Sequence, residues 1–183
     1  MNIFYLDKDP VKCAEMHTDR HCVKMILEYA QLLCTSHHCI DRELDPETGF
    51  VIFHNEDIRH KLYKETHYKH PSAIWARSST QHYNWLYQLF IAVCDEYTYR
   101  YGKVHKSDTK LREILKNPPH LLKDKGFTQP TQAMPMVYKM KDSIDAYQLY
   151  YNKQKRVSRD GKRSTWTKRE IPTFMQKVMK VEY

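Results

Sequence analysis

The sequence predicts a mainly α fold: a single compact helical domain over residues 1–183, with two long, mostly buried helices and room for short strands within 1–6 and 50–64. Two periodic stretches carry this expectation, roughly 10–36 and 79–101, where apolar side chains recur at the 3.6-residue spacing of a helix. Length supports it, since 183 residues can bury one sizeable core. So does punctuation: only four glycines occur, and neither a repeat nor a clear linker divides the chain.

Taken in order, residues 2–6 suit a short strand or an extended lead-in. Asp9-Pro10 reads as a helix start, with Asp9 as N-cap and Pro10 in the first helical position. That helix runs to about Ser36, with a break near Thr18-Asp19. Residues 40–70 are mixed and polar, and Asp45-Pro46 and Gly49 signal turns. Within them 51–53 and 61–63 suit two short strands or plain loop. After His70-Pro71 a second long helix spans roughly 79–101, with Gly102 as its stop. Residues 108–116 suit a short helix ended by Pro118-Pro119. Four prolines make 117–136 an extended loop. Residues 141–151 are helical, a basic aromatic segment covers 153–183, and 171–181 hold a last short helix after Pro172.

The first long helix has inverted proportions. At 100° per residue, His17, His21, Lys24, Glu28, Gln31 and Thr35 fall within one arc of about 80°, while Val23, Ile26, Leu27, Tyr29, Ala30 and Leu33 cover most of the rest. The second helix repeats the layout, with Gln81, Asn84, Gln88, Asp95 and Tyr99 in one narrow arc. Dry burial of Lys24, Glu28 and Asp95 is costly, and a Lys-first i,i+4 pair adds at most about 0.5 kcal/mol to a helix. The expectation is a wet cleft in which the two seams face each other, lined by Gln31, Gln81, Asn84, Gln88, Asp95 and His70. A structural hydrogen-bond network or an exposed edge is the competing reading.

Composition narrows the chemistry. No run of eighteen apolar residues occurs, so no membrane span is expected, and MNIFYLDKDPVK lacks the basic-then-apolar layout of a secretory signal. Cys13, Cys22, Cys34, Cys39 and Cys94 are odd in number and form no CxxC pair, which suits free thiols in a reducing cytoplasm, the host's if the chain is phage-encoded. The net charge is +8, and from 153 to 169 eight Lys or Arg residues stand against Asp160 alone. Lys155, Arg156, Arg159, Lys162, Arg163, Trp166, Lys168 and Arg169 combine positive charge with an aromatic ring, which suits a phosphate backbone and a stacking surface. Nucleic acid, DNA first, is the expected partner; the oligomeric state is left open. Neither GxxxxGK[ST] nor GxGxxG is present, which argues against phosphate loops.

Two catalytic chemistries remain. Asp19 lies near His17 and His21, and His67 and His70 bracket a second cluster, so a divalent-metal nucleotide or nucleic-acid phosphohydrolase is one alternative, although no ligand spacing is diagnostic. A non-catalytic nucleic-acid or host-protein binding module is another. The leading reading needs neither metal nor cofactor. Glu28 acts as a tuned carboxylate, with Lys24, His17 and His21 beside it, and a desolvated Lys24 forms a Schiff base with an aldehyde-like carbon. Glycosidic cleavage in DNA needs those two roles.

The layout resembles the phage pyrimidine-dimer DNA glycosylases, a small, basic, mainly α family. The residues that carry the likeness are Lys24 with Glu28, HPSAIW from His70 to Trp75, RYG from Arg100 to Gly102, and STWTKREIP from Ser164 to Pro172. In that family a basic residue adjoins the catalytic Glu, whereas here three residues intervene. HPSAIWAR, EYTYRYGKVHKS and WTKREIP are also similar to an uncharacterised family of tailed-phage proteins, a closer likeness that carries no activity. The glycosylase resemblance implies strand distortion that exposes C1′, attack by an amine of the N-terminus or Lys24, and charge stabilisation by Glu28. It also implies phosphate contacts by Arg77, Arg100 and the basic segment, with Trp75, Trp85 or Trp166 beside an unstacked base. Because Asn2 disfavours removal of the initiator Met, the α-amine is expected on Met1, a departure from the family.

Overall fold

A computed structural model describes residues 1–157 and 160–176. Eight α-helices lie among them: α1 (Pro10–Glu15), α2 (Asp19–Ile40), α3 (Glu56–Arg59), α4 (Pro71–Ala76), α5 (Thr80–Tyr101), α6 (Lys106–Leu111), α7 (Ser143–Gln154) and α8 (Thr173–Gln176). Two short strands, β1 (Arg42–Leu44) and β2 (Val51–Phe53), form an antiparallel hairpin with Glu43 opposite Ile52. The mainly α expectation therefore holds. The core sits where α2 and α5 pack against each other, with α1 laid across α5.

Local chemistry accounts for the helix limits. Asp9 accepts the Val11 N–H at 2.8 Å and Pro10 begins α1; Thr18 caps α2 and Ser79 caps α5 in the same way. Gly102 ends α5 in the left-handed region at φ 64°, which a side chain would resist. Between α1 and α2 the chain turns sharply, and its freed carbonyls need donors. Arg100 of α5 supplies two, donating to Glu15 O at 2.9 Å and His17 O at 2.9 Å, and Trp166 Nε1 donates to Met16 O at 3.0 Å. The break near Thr18-Asp19 is thus built by residues distant in sequence.

Residues 2–6 join no sheet and so form the lead-in segment that was the alternative to a strand. Ile3, Phe4, Tyr5 and Leu6 are all buried, and their backbone is satisfied largely by side chains. Cys13 Sγ donates to Phe4 O at 3.0 Å, and Gln148 Nε2 donates to Leu6 O at 2.9 Å. Asn2 Nδ2 donates to Ala133 O at 3.0 Å in the proline-rich loop. Residues 51–53 do form a strand, but it pairs with 42–44; 61–63 form turn and coil. Helix α4 was not anticipated, because six residues are too short a window for periodicity to register. The last predicted helix, 171–181, is observed only as α8, and 177–181 lie outside the described residues.

Candidate functional site

The polar stripe that runs from His17, in the corner between α1 and α2, along α2 to Thr35 is divided along its length. Its two ends are interior: His17 and Thr35 are fully buried. His17 Nδ1 donates to Cys13 O at 2.7 Å, which leaves Nε2 to accept from the Tyr29 hydroxyl at 2.8 Å. Burial pushes the His17 pKa down to about 4, so the ring is neutral. Thr35 exchanges hydrogen bonds with the backbone of Thr66. His17 is therefore a fixed part of the core and not the catalytic group expected of it.

The middle of the stripe opens outward. Lys24 Nζ lies 3.0 Å from Glu28 Oε1, with side-chain exposures of 63% and 14%. The α-amino group of Met1, whose side chain is buried, lies 4.0 Å from Glu28 Oε2. The carboxylate is thus flanked by two amines, one on its own helix and one delivered by the buried segment that leads into α1. Gln31, half-buried, follows Glu28 by one turn. His70 caps α4, its Nδ1 accepting the Ser72 N–H at 3.2 Å. Its pKa lies below the ordinary value through burial first and then through the Met1 ammonium and His67, while Glu28 acts in the opposite sense. His70 therefore stands within the electrostatic reach of this site.

His21 occupies the wall beside it. Its ring stacks on Phe4 at 4.4 Å between centroids, and Nδ1 lies 2.8 Å from the Tyr151 hydroxyl. Burial, followed by the neighbouring His17, Lys155, Lys24 and Arg20, holds its pKa well below the ordinary value. The structure thus pairs Glu28 with Lys24, sets His21 one turn before Lys24, and places the Met1 amine, which the resemblance invoked, beside Glu28; Arg20 is the neighbouring group that the sequence reading did not name. Arg20 was legible in part, since it stands at i−4 to Lys24 and both side chains share a face.

The second seam does not meet the first. Gln81, Asn84, Gln88 and Asp95 are exposed on the outer face of α5. Gln81 donates to Asp124, and Asp95, 64% exposed, pairs with Arg112. A polar stripe on a helix that packs α1 and α2 on its other sides is simply its solvent face. The expected facing cleft is replaced by a one-sided site on α2.

Several expected phosphate ligands are structural. Arg100 is buried: its guanidinium donates to Glu96 at 2.6 Å and Asp19 at 3.0 Å as well as to the two carbonyls of the α1–α2 corner. Arg169 pairs with Glu96 at 2.8 Å and Glu15 at 3.1 Å, and the buried Trp166 is held on Met16. Arg77 donates to Tyr68 O at 2.6 Å. Lys168 donates to Tyr99 O at 2.8 Å while remaining exposed. Lys162 and Arg163 are exposed, Lys162 standing 3.8 Å from Asp160, and Arg156 donates to Met175 O. Arg159 lies outside the described residues. Trp75, stacked on His82, donates to Thr128 O at 3.0 Å, and Trp85 donates to Lys8 O at 2.9 Å.

Among the described residues no three His, Cys, Asp or Glu side chains converge in a way that would hold a metal ion. Asp19, proposed as a ligand, instead accepts from Arg100, Thr165 and Thr167, bonds that hold its pKa below the usual carboxylate value against the opposing effect of burial. Among the described residues no helix is long and apolar enough to cross a membrane. No protein-family model matches the chain, and no curated protein or solved structure is significantly similar to it.

Proposed function

We propose that the protein is a nucleic-acid-acting enzyme, a DNA glycosylase whose centre is Glu28 flanked by the amines of Met1 and Lys24. The observation that carries this reading is the placement of one half-buried carboxylate within 4.0 Å of an α-amine and 3.0 Å of a lysine. Glu28 takes a proton from the Met1 ammonium, and the freed lone pair attacks C1′ of a nucleotide drawn out of the stack. The glycosidic bond breaks and its electron pair leaves on the base, which receives a proton. The adduct nitrogen then gives up a second proton, its lone pair breaks the C1′–O4′ bond to leave a Schiff base, and O4′ takes that proton as the sugar opens. Glu28 also stabilises the oxocarbenium-like charge that develops on the way. Lys24, largely exposed, orients the carboxylate and offers a second amine; His70 lies at the edge of the same field.

Borohydride trapping on ultraviolet-irradiated and abasic DNA, with EDTA present, tests this directly. A covalent adduct is expected with the wild type; Glu28→Gln loses it, with single-turnover cleavage falling roughly 10²–10⁴-fold. Acetylating the α-amine removes the adduct if Met1 is the nucleophile; Lys24→Arg removes it if Lys24 is. Absence of both adduct and cleavage overturns the amine mechanism. Activity lost in EDTA and regained with Mn²⁺ identifies a metal-dependent phosphohydrolase instead, and salt-sensitive DNA affinity with no turnover on any substrate identifies a binding module.

A further inference from the structure

Beside Glu28, on the far side of Lys24, lies a cavity of about 220 Å³ lined by Thr18, Arg20, His21, Lys24, Gln154, Lys155, Val157 and Ser164. Its walls come from the first turns of α2, the end of α7 and the turn that follows. Three of the lining residues are cationic and none is acidic. We propose that this cavity is a phosphate-binding pocket that receives one backbone phosphodiester of the strand whose sugar meets Glu28. The identity of that strand rests on the glycosylase reading; the anion pocket itself does not.

The chemistry of the walls favours an anion throughout. Lys155 is held over the rings of Phe4 at 5.9 Å and Tyr150 at 5.2 Å, so its ammonium is positioned by aromatic faces. Arg20 and Lys24 are exposed at successive turns of one helix face, and Lys24 links the pocket to the Glu28 carboxylate. His21 is the wall between them. The Tyr151 hydroxyl accepts the Thr18 N–H at 2.9 Å and lies 2.8 Å from His21 Nδ1. When the hydroxyl gives its own proton to Nδ1, the neutral ring keeps its hydrogen on Nε2, a further donor. Three cationic side chains around one cavity whose own lining holds no acid favour an anion there. The space is below the usual range for sites that enclose a whole small molecule, roughly 300–1,000 Å³, but is ample for a phosphate with part of its sugar. A charge fixed one helical turn from Glu28 would also set which side of the carboxylate the strand runs.

Fluorescence anisotropy with an uncleavable reduced-abasic duplex, in EDTA, reads binding without turnover, so the outcome is independent of the borohydride trap. Arg20→Gln/Lys155→Gln is expected to weaken binding at least roughly tenfold at moderate salt and to lower the slope of log K against log salt by about one. Lys61→Gln/Lys64→Gln, which removes the same charge at exposed positions outside the pocket, is expected to change affinity less than about twofold. A scan of single neutral methylphosphonates on the wild-type protein needs no substitution. One position near the abasic site should reproduce the loss, and that position should have no further effect in the Arg20/Lys155 variant. Equal losses in the two double variants, or small uniform losses across the scan, overturn the proposal. A nucleoside monophosphate or inorganic phosphate that displaces the duplex at a concentration matching the duplex's own Kd also overturns it, and marks the pocket as a free-nucleotide or free-phosphate site.

Discussion

The polar stripes of α2 and α5 read alike in sequence and differ in the fold. On α5 the polar side chains Gln81, Asn84, Gln88 and Asp95 face water, and Asp95 has a half-buried arginine partner. The α2 stripe starts in the core at His17, just before the helix, runs out to Lys24 and Glu28, and returns to the core at Thr35. What distinguishes them is what packs alongside. The first residues of the chain lie against α2 and bring an amine to Glu28, while the end of α7 and the following turn wall off the space beside Lys24. A polar arc on a buried helix becomes a site where another segment half-covers it; left uncovered, it is a surface.

The largest expected effect separates the two carboxylates. Glu28→Gln removes the trapped adduct as described above, whereas Asp95→Asn in the same assay should leave the rate within about twofold and the stability within about 0.5 kcal/mol. An equal loss from both would erase the distinction between the stripes.

Next in size is the corner that α5 supports through its inner face. Arg100→Ala leaves Glu96, which is buried, without its i,i+4 partner and strips donors from Glu15 and His17. A loss of roughly 3–5 kcal/mol is expected, read as a shift in the urea midpoint with unchanged slope. A change below about 1 kcal/mol would return Arg100 to the pool of available phosphate ligands.

The third test sharpens the contrast between the buried start of the α2 stripe, at His17 in the α1–α2 corner, and its open middle. His17 has a folded pKa depressed from 6.5 to about 4. The unfolded chain therefore takes up the proton first as pH falls. The stabilisation is present in full above the unfolded value, declines as pH drops through it, and stops declining below the folded value, for a total of about 3 kcal/mol at 1.36 kcal/mol per unit. His21 shifts in the same direction and adds to the slope. Urea unfolding at about pH 7.5 and about pH 4.5 measures this. His17→Gln should be less stable than the wild type at neutral pH and show a shallower decline with acid. An unchanged decline would mean that His17 is not held neutral in the core.

The helices were largely legible because their signals are local. Asp9-Pro10, Ser79 and Gly102 act through bonds to neighbours a few residues away, and those bonds can be read without knowing the fold. The centre of the site was legible for a related reason, since Lys24 and Glu28 sit at i,i+4. Exposure was not legible. Nothing along α5 says which side of the helix α1 and α2 will cover, so its solvent seam looked like half of a cleft. Arg100 looked like a phosphate ligand through the glycosylase resemblance, and Arg169 because it lies in a basic segment with aromatic residues. One clue was available: Glu96 stands four residues before Arg100, the spacing of an ion pair. Trp166 lay in a basic stretch, and only the folded chain shows its ring nitrogen turned inward to Met16.

The knot around Arg100 has a consequence for how the chain is made. It joins residues 15–19, 96–100 and 165–169, with Thr165 and Thr167 closing on Asp19 and Arg169 closing on Glu96. Synthesis proceeds from the N-terminus at about 5–20 residues per second, so Glu96 and Asp19 leave the ribosome well before their last partners exist. Contacts of such wide sequence separation form late and slow folding. A nascent chain halted before residue 165 would hold α1 to α7 but not its corner, and truncations from the C-terminal side should therefore lose cooperativity abruptly at the Thr165–Arg169 clasp rather than by degrees.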